Sequence, residues 1–192
     1  VNAQNFITQA RSLPHTVVTE GLTKEIETRN ILNGRAVMVR TTVLDLDTDG
    51  GNAPHIAWDA THQSDTSLHW PHGSPVDSNA TRFVVMPLEW GKRHGVKLGD
   101  LGLACIASSF QVCGVIVADE GPPHKIGEGS IALHRFFGHE TVINGRIKDC
   151  DMPGPFTMLI FCGSGDGHCH NNSENEAMAW ALWTGLQQGG KI

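Results

Sequence analysis

Tyrosine is missing altogether from this chain of 192 residues, which carries 5 Trp and 7 Phe instead. Any stacking on a ring-shaped ligand must therefore come from Trp or Phe. Basic residues are scarce too: 14 Lys and Arg stand against 20 Asp and Glu, for a formal charge of −6 with 11 His taken as neutral. No Lys/Arg-rich run occurs, so the chain lacks the basic patch that a nucleic-acid backbone requires, and no nucleic-acid partner is expected. No apolar stretch approaches 18 residues, and the longest, from Ala177 to Leu186, is broken by Thr184. That excludes a helical membrane span. The polar opening VNAQNFITQARS has no signal-peptide pattern, and an initial Val without Met suggests a processed chain or an excised domain.

At 40% apolar and 18% charged, the sequence is far from a disordered composition. Its length fits a single domain, residues 1–192. The 22 Gly and 9 Pro, about 16% of the residues against an average near 12%, favour turns and short strands over a helical bundle. Five cysteines give no even framework. A Cys105–Cys113 cross-strand bridge is conceivable, as is pairing of Cys162 with Cys169, and free buried thiols are the other reading.

A short helix is expected over 1–14, ending before Pro14. Strand-like runs follow at TVVTE and EIETRNI, then at RAVMVRTTVLDLD, with Asn33-Gly34 as the hairpin turn between the last two. Residues 48–80 are turn-rich and polar, a length that suggests function. Further strands are expected at 82–88, 100–108, 110–118 and 156–162, and a short helix capped by Ser130. Ser173 with Glu176 reads as a capping box opening a C-terminal helix. The fold class is therefore mainly β: a β-barrel with a few short helices and a C-terminal helix. The run GVKLGDLG before a strand looks like the entry turn of a double-psi barrel.

Three segments could carry chemistry. In VADEGPPHKIGEGS, residues 117–130, Asp119 and Glu128 lie nine positions apart. Extended chain would hold them ~30 Å from each other. The Gly121-Pro122-Pro123 reversal can bring them together, and two carboxyl groups facing one cleft are what glycoside hydrolysis needs. Gly127 and Gly129 beside Glu128 would let a substrate approach the backbone. Second, Asp45-Leu46-Asp47-Thr48-Asp49-Gly50 matches the first half of a calcium loop, but the twelfth position is Ile56 where a bidentate Glu is needed. Neither a metal site nor a cofactor is expected, and acids at 45, 47 and 49 would instead bind an ammonium-bearing sugar or solvate a turn. Third, His168, Cys169 and His170 cluster in GSGDGHCHNN without zinc-ligand spacing, which reads as a loop.

In order along the chain, these blocks resemble the chitosanases of glycoside hydrolase family 75. The family pairs a D-x-D-x-D-G string with a segment like D-P-x-x-Q-x-x-T-S and then a D-x-G-P-x-x-x-I-G-E-x-S block. Here they are Asp45 to Gly50, Asp59 to Ser67, and Asp119 to Ser130, with GSPVD, RFVVMPL and GVKLGDLG similar to the connecting strands. The likeness spans about 37–164; residues 1–36 and 173–192 look like extensions, and Glu120 stands where the family has an uncharged residue.

The resemblance implies endo-acting, inverting hydrolysis of β-1,4 bonds between amino-sugar units. Glu128 would be the general acid in a partly desolvated position, and Asp119 its ionised partner. Inversion implies a carboxyl separation of roughly 6.5–9.5 Å. Gln63, Thr66 and Ser67 would line the cleft beside Asp45, Asp47 and Asp49, with Trp58, Trp70 and Trp90 as candidate platforms. Chitosan is the leading substrate. The alternative is a muramidase acting on peptidoglycan, an antibacterial or toxin domain with an immunity or carrier protein as partner. A non-catalytic carbohydrate or calcium module is the alternative of another class, and an interaction domain using the Trp180 and Trp183 helix a further one. A secreted or extracytoplasmic location is expected.

Overall fold

A computed structural model describes residues 2–51, 59–148 and 150–189. The strands are β1 (His15–Val18), β2 (Glu25–Ile31), β3 (Ala36–Asp47), β4 (Phe83–Pro87), β5 (Leu101–Ile106), β6 (Val112–Gly121), β7 (Glu128–Ser130), β8 (Val142–Ile143), β9 (Arg146–Ile147) and β10 (Asp151–Phe161). The helices are α1 (Ala3–Ser12), α2 (Leu88–His94), α3 (Ile131–Phe136) and α4 (Asn172–Gln187). The main sheet runs β1-β2-β3-β10-β5-β6-β4-β7, and a further β7–β3 pairing closes six of these strands into a barrel. The mainly β barrel with short helices and a C-terminal helix is thus the architecture.

Most local signals act where they stand. Leu32, Asn33 and Gly34 take positive φ and join β2 to β3 in an antiparallel hairpin with Ile31 opposite Ala36. Ser130 Oγ accepts the Leu133 N–H and caps α3. Helix α4 does carry a capping box, but it is Asn171 with Glu174, two residues earlier than expected. Glu176 is engaged elsewhere: its carboxylate takes Arg82 at 2.7 Å.

Two features place the site. Barrel closure is parallel on both sides of β4 and β7: β3 pairs with β7, setting Asp45 opposite Glu128, and β4 pairs with β6. Along β4–β6, Val84 faces Val117 but Val85 faces Asp119, so Ala118 is the extra residue of a β-bulge. A bulge re-aims the side chains beyond it, and here it sets Asp119 rather than Ala118 beside Val85.

Apolar side chains fill both faces of the sheet. One cluster joins Met38, Phe83, Leu103 and Phe161 to Phe6 of α1 and Trp183 of α4; the other joins Val39, Val84, Val115 and Ile160 to Trp90 of α2 and Leu133 of α3. The segments that looked like extensions therefore belong to the barrel's own packing. β1 and β2 prolong the sheet from β3, and Trp180 and Trp183 stand edge-on to Phe6. This gives the Trp helix a core role. None of the five cysteines forms a disulfide. Cys105 and Cys113 lie in the two opposite clusters and face away from each other, so the cross-strand bridge does not form. No helix among the described residues is long and apolar enough to cross a membrane.

Candidate active site

Val85 has Asp119 as its partner on β6 and Glu128 as its partner on β7. Two strand spacings set the Cα atoms of the two acids roughly 10 Å apart, with residues in register sharing one side of the sheet. A cleft of about 250 Å³ opens there, and its walls include Asp47, Asp49, Asp59, Glu120, Glu128 and Lys125. Carboxylate oxygens of Asp47, Asp49 and Asp119 all come within 4.8 Å of one another. That trio is the set among the described residues that could converge on a cation.

Each acid is held differently. Asp119 is buried, and its Oδ1 accepts three hydrogen bonds: from Ser67 N–H at 3.0 Å, Ser67 O–H at 2.5 Å and its neighbour Glu120 N–H at 2.8 Å. Glu128 Oε1 takes the Lys125 ammonium at 2.7 Å, and the same ammonium lies 3.2 Å from Asp45 Oδ2. Lys125 is positioned by a tight turn, its N–H donating to Pro122 C=O, and by His124 C=O accepting from Thr23 N–H.

The acid string divides. Asp45 turns to the cations, with Lys24 at 2.5 Å. Burial alone would raise its pKa, but its bond to Asp151 and the two lysines hold it below the usual carboxylate range, while sharing with Asp45 lifts Asp151. Asp47 goes the other way: burial first, and then the charges of Asp49, Asp119 and Glu128, push it well above the usual range, against one backbone N–H from Asp49. Asp49 is also raised, chiefly by burial, although it accepts Gln63 N–H at 2.7 Å. One carboxyl in the middle of the cluster thus favours its proton, as expected where like charges crowd.

Of the other expected contacts, Gln63 lines the cleft. Ser67 binds Asp119 and so acts on the acid. Thr66 is buried and does not line the cleft; its hydroxyl donates to Leu68 C=O and accepts Val76 N–H, which makes it a brace for the 48–80 loop. Trp58 lies outside the described residues. Trp90 is buried at 1% exposure and is core, not a platform. Trp70 stacks against His72 and is half-buried against the core. The glycines flanking Glu128 do not clear space for a ligand. A Cβ on Gly127 would stand 2.7 Å from Thr41 Oγ1, and one on Gly129 would stand 2.7 Å from Leu133 Cδ2, so both serve packing. In the loop before α4, Cys169 is buried, and His170 pairs with Asp166 and Glu174.

Reading the sequence did not find Lys125 and Lys24 as partners of the acids. The turn GPPHK, which must fold back toward Glu128, was the signal for Lys125. Lys24 offered none, because it meets Asp45 only through tertiary pairing. Comparison with protein-family models and with curated proteins finds no match to the chain.

Proposed function

We propose that the protein is an endo-acting glycoside hydrolase that cuts β-1,4 bonds in an amino-sugar polymer, with chitosan as the leading substrate. The observation that carries this reading is the placement of Asp119 and Glu128 on the two flanks of Val85, at the edge of a cleft walled by further acids. Inverting hydrolysis requires the two carboxyl groups to stand roughly 6.5–9.5 Å apart, with a water between sugar and carboxylate. The likeness of the acid blocks to family 75 chitosanases supports the same pair.

Asp119, with one oxygen fixed by three donors, is suited to orient and deprotonate water from its other oxygen. Glu128 is the proton donor to the leaving oxygen. Lys125 keeps Asp45 as a partner when Glu128 takes up a proton, so the ammonium is not stranded. Asp47, inclined to stay neutral, lowers the repulsion that Asp49, Asp119 and Glu128 would otherwise exert on each other. The carboxylates of the cleft suit a cationic sugar. The amino groups of a peptidoglycan glycan are N-acetylated and offer these acids no cation, which sets peptidoglycan second.

The test is reducing-end release from chitosan. Asp119→Asn and Glu128→Gln should each lower kcat by at least ~100-fold while oligomer binding persists. Full activity in Glu128→Gln would remove the proton donor, and wild-type inactivity on both chitosan and purified sacculi would remove the glycosidase reading.

A further inference from the structure

Trp70 takes no part in the acid cleft. With no Tyr in the chain, indole rings are its large amphipathic faces. Trp90 and Trp183 are buried at 1% and 2% exposure, and Trp180 stands edge-on to Phe6. Trp70 is placed differently: with Pro71, His72, His170 and Glu174 it walls a hollow of about 590 Å³, within the roughly 300–1,000 Å³ usual for ligand sites. No wall residue is shared with the acid cleft. The hollow is held from several sides. Trp70 N–H donates to Ser74 C=O at 2.9 Å and Trp70 C=O accepts Gly73 N–H at 2.8 Å, a tight turn that sets the ring against the core. The His72 ring lies nearly parallel to it, at 9° and 6.1 Å between centroids. His69 C=O accepts Cys169 N–H at 3.0 Å, which ties the turn to the loop before α4. There Glu174 Oε2 accepts Asn171 N–H and lies 4.0 Å from His170 Nδ1, while Oε1 has no partner among the described residues.

We propose that this hollow is a second binding site for the amino-sugar polymer, one that holds a chain without cutting it while the acid cleft acts on another part of the same chain. The inference rests on the glycosidase reading above and extends it to how the polymer is held. A pyranose lays its C–H face on an indole without losing a hydrogen bond, and the hydroxyls and ammonium at its edge need acceptors. Glu174 Oε1 is such an acceptor, and the imidazoles of His72 and His170 can serve the hydroxyls. Glu174 is the single carboxyl of this wall among the described residues, so the hollow binds without the pair of acids that hydrolysis needs. The two sites lie on one loop. Ser67, which bonds Asp119, precedes Trp70 by three residues, at most about 10 Å of chain. A polymer long enough to span both sites is held at two points, and such joining raises affinity roughly 10²–10⁴-fold with no new contact in the cleft. A short oligomer occupies one site at a time and gains nothing.

The experiment compares hydrolysis of long-chain chitosan with hydrolysis of a glucosamine tetramer, by wild type and by Trp70→Ala. The expected result is a kcat/KM on the long chain lowered about tenfold or more, through KM, with the tetramer rate unchanged. Trp70 also packs on the core, so Glu174→Gln is the second variant. Gln keeps an acceptor for the Asn171 N–H and drops the charge, and it should lower the long-chain rate by a smaller factor, again with the tetramer rate unchanged. Equal losses on the two substrates in both variants, or no loss in either, would overturn the second site and leave the glycosidase reading standing. Wild-type inactivity on the polymer, the tetramer and sacculi would overturn both.

Discussion

Lys125 Nζ lies 2.7 Å from Glu128 Oε1. The same ammonium lies 3.2 Å from Asp45 of β3, so Lys125 ties the Glu128 side chain in place. Lys125→Met keeps the aliphatic stem and removes a charged hydrogen-bond donor worth about 1.5–3 kcal/mol. A fall of about tenfold in kcat is expected, with oligomer binding kept. An unchanged kcat would show that Glu128 is held without Lys125.

Ser67 supplies two of the three hydrogen bonds on Asp119 Oδ1. The hydroxyl one is lost in Ser67→Ala, while the backbone N–H remains. A hydrogen bond to a charged group contributes about 1.5–3 kcal/mol, so a fall of about tenfold in kcat is expected, with KM nearly constant. Ser67→Thr keeps the hydroxyl and should restore most of the rate. If instead KM rises alone, Ser67 contacts the substrate and does not position the acid.

What could be read from the residues divides by range. Asn33-Gly34, Ser130 and the alternation of β3 act within a few positions of themselves, and each produced the expected element. The Asn171 and Ser173 caps are equally good locally; the choice between them depends on Arg82, about 90 positions away, drawing Glu176 out of the cap. The Ala118 bulge and the parallel β3–β7 pairing arise from barrel closure, for which no short segment holds a signal. Asp119 and Glu128 were legible because Gly-Pro-Pro forces a reversal between them. Thr66 and the flanking glycines were misassigned to the cleft because a small polar residue near an acid looks the same whether it faces solvent or braces a loop.

Asp47 should make stability fall as pH rises. Its carboxyl titrates above its unfolded value in the native state, so the folded protein binds the extra proton. The stability this gives is complete below the unfolded pKa, ~3.9, and is lost as pH climbs through the folded pKa. Asp47→Asn keeps an oxygen for the Asp49 N–H and carries no charge. Thermal unfolding followed against pH should show the variant gaining on wild type as pH rises from about 4, then holding a constant margin. A margin independent of pH would mean that Asp47 is not the proton-holding acid of the cluster.

Trp183 tests whether the C-terminal helix belongs to the barrel. Its side chain is 2% exposed and its ring centroid stands 5.2 Å from that of Phe6, edge to face. Helix α4 also packs on β6, the strand that carries Asp119, and a Cβ on Gly114 of β6 would meet the Glu176 backbone at 2.3 Å. Truncating a buried aromatic to Ala costs about 3–5 kcal/mol, a large share of the roughly 5–15 kcal/mol that holds a domain together. Urea unfolding of Trp183→Ala should therefore show a midpoint far below wild type, with activity per folded molecule largely kept. Trp180→Ala, at a half-buried site on the same helix, should cost less. Equal and small effects from both would show that α4 lies on the barrel without stabilising it.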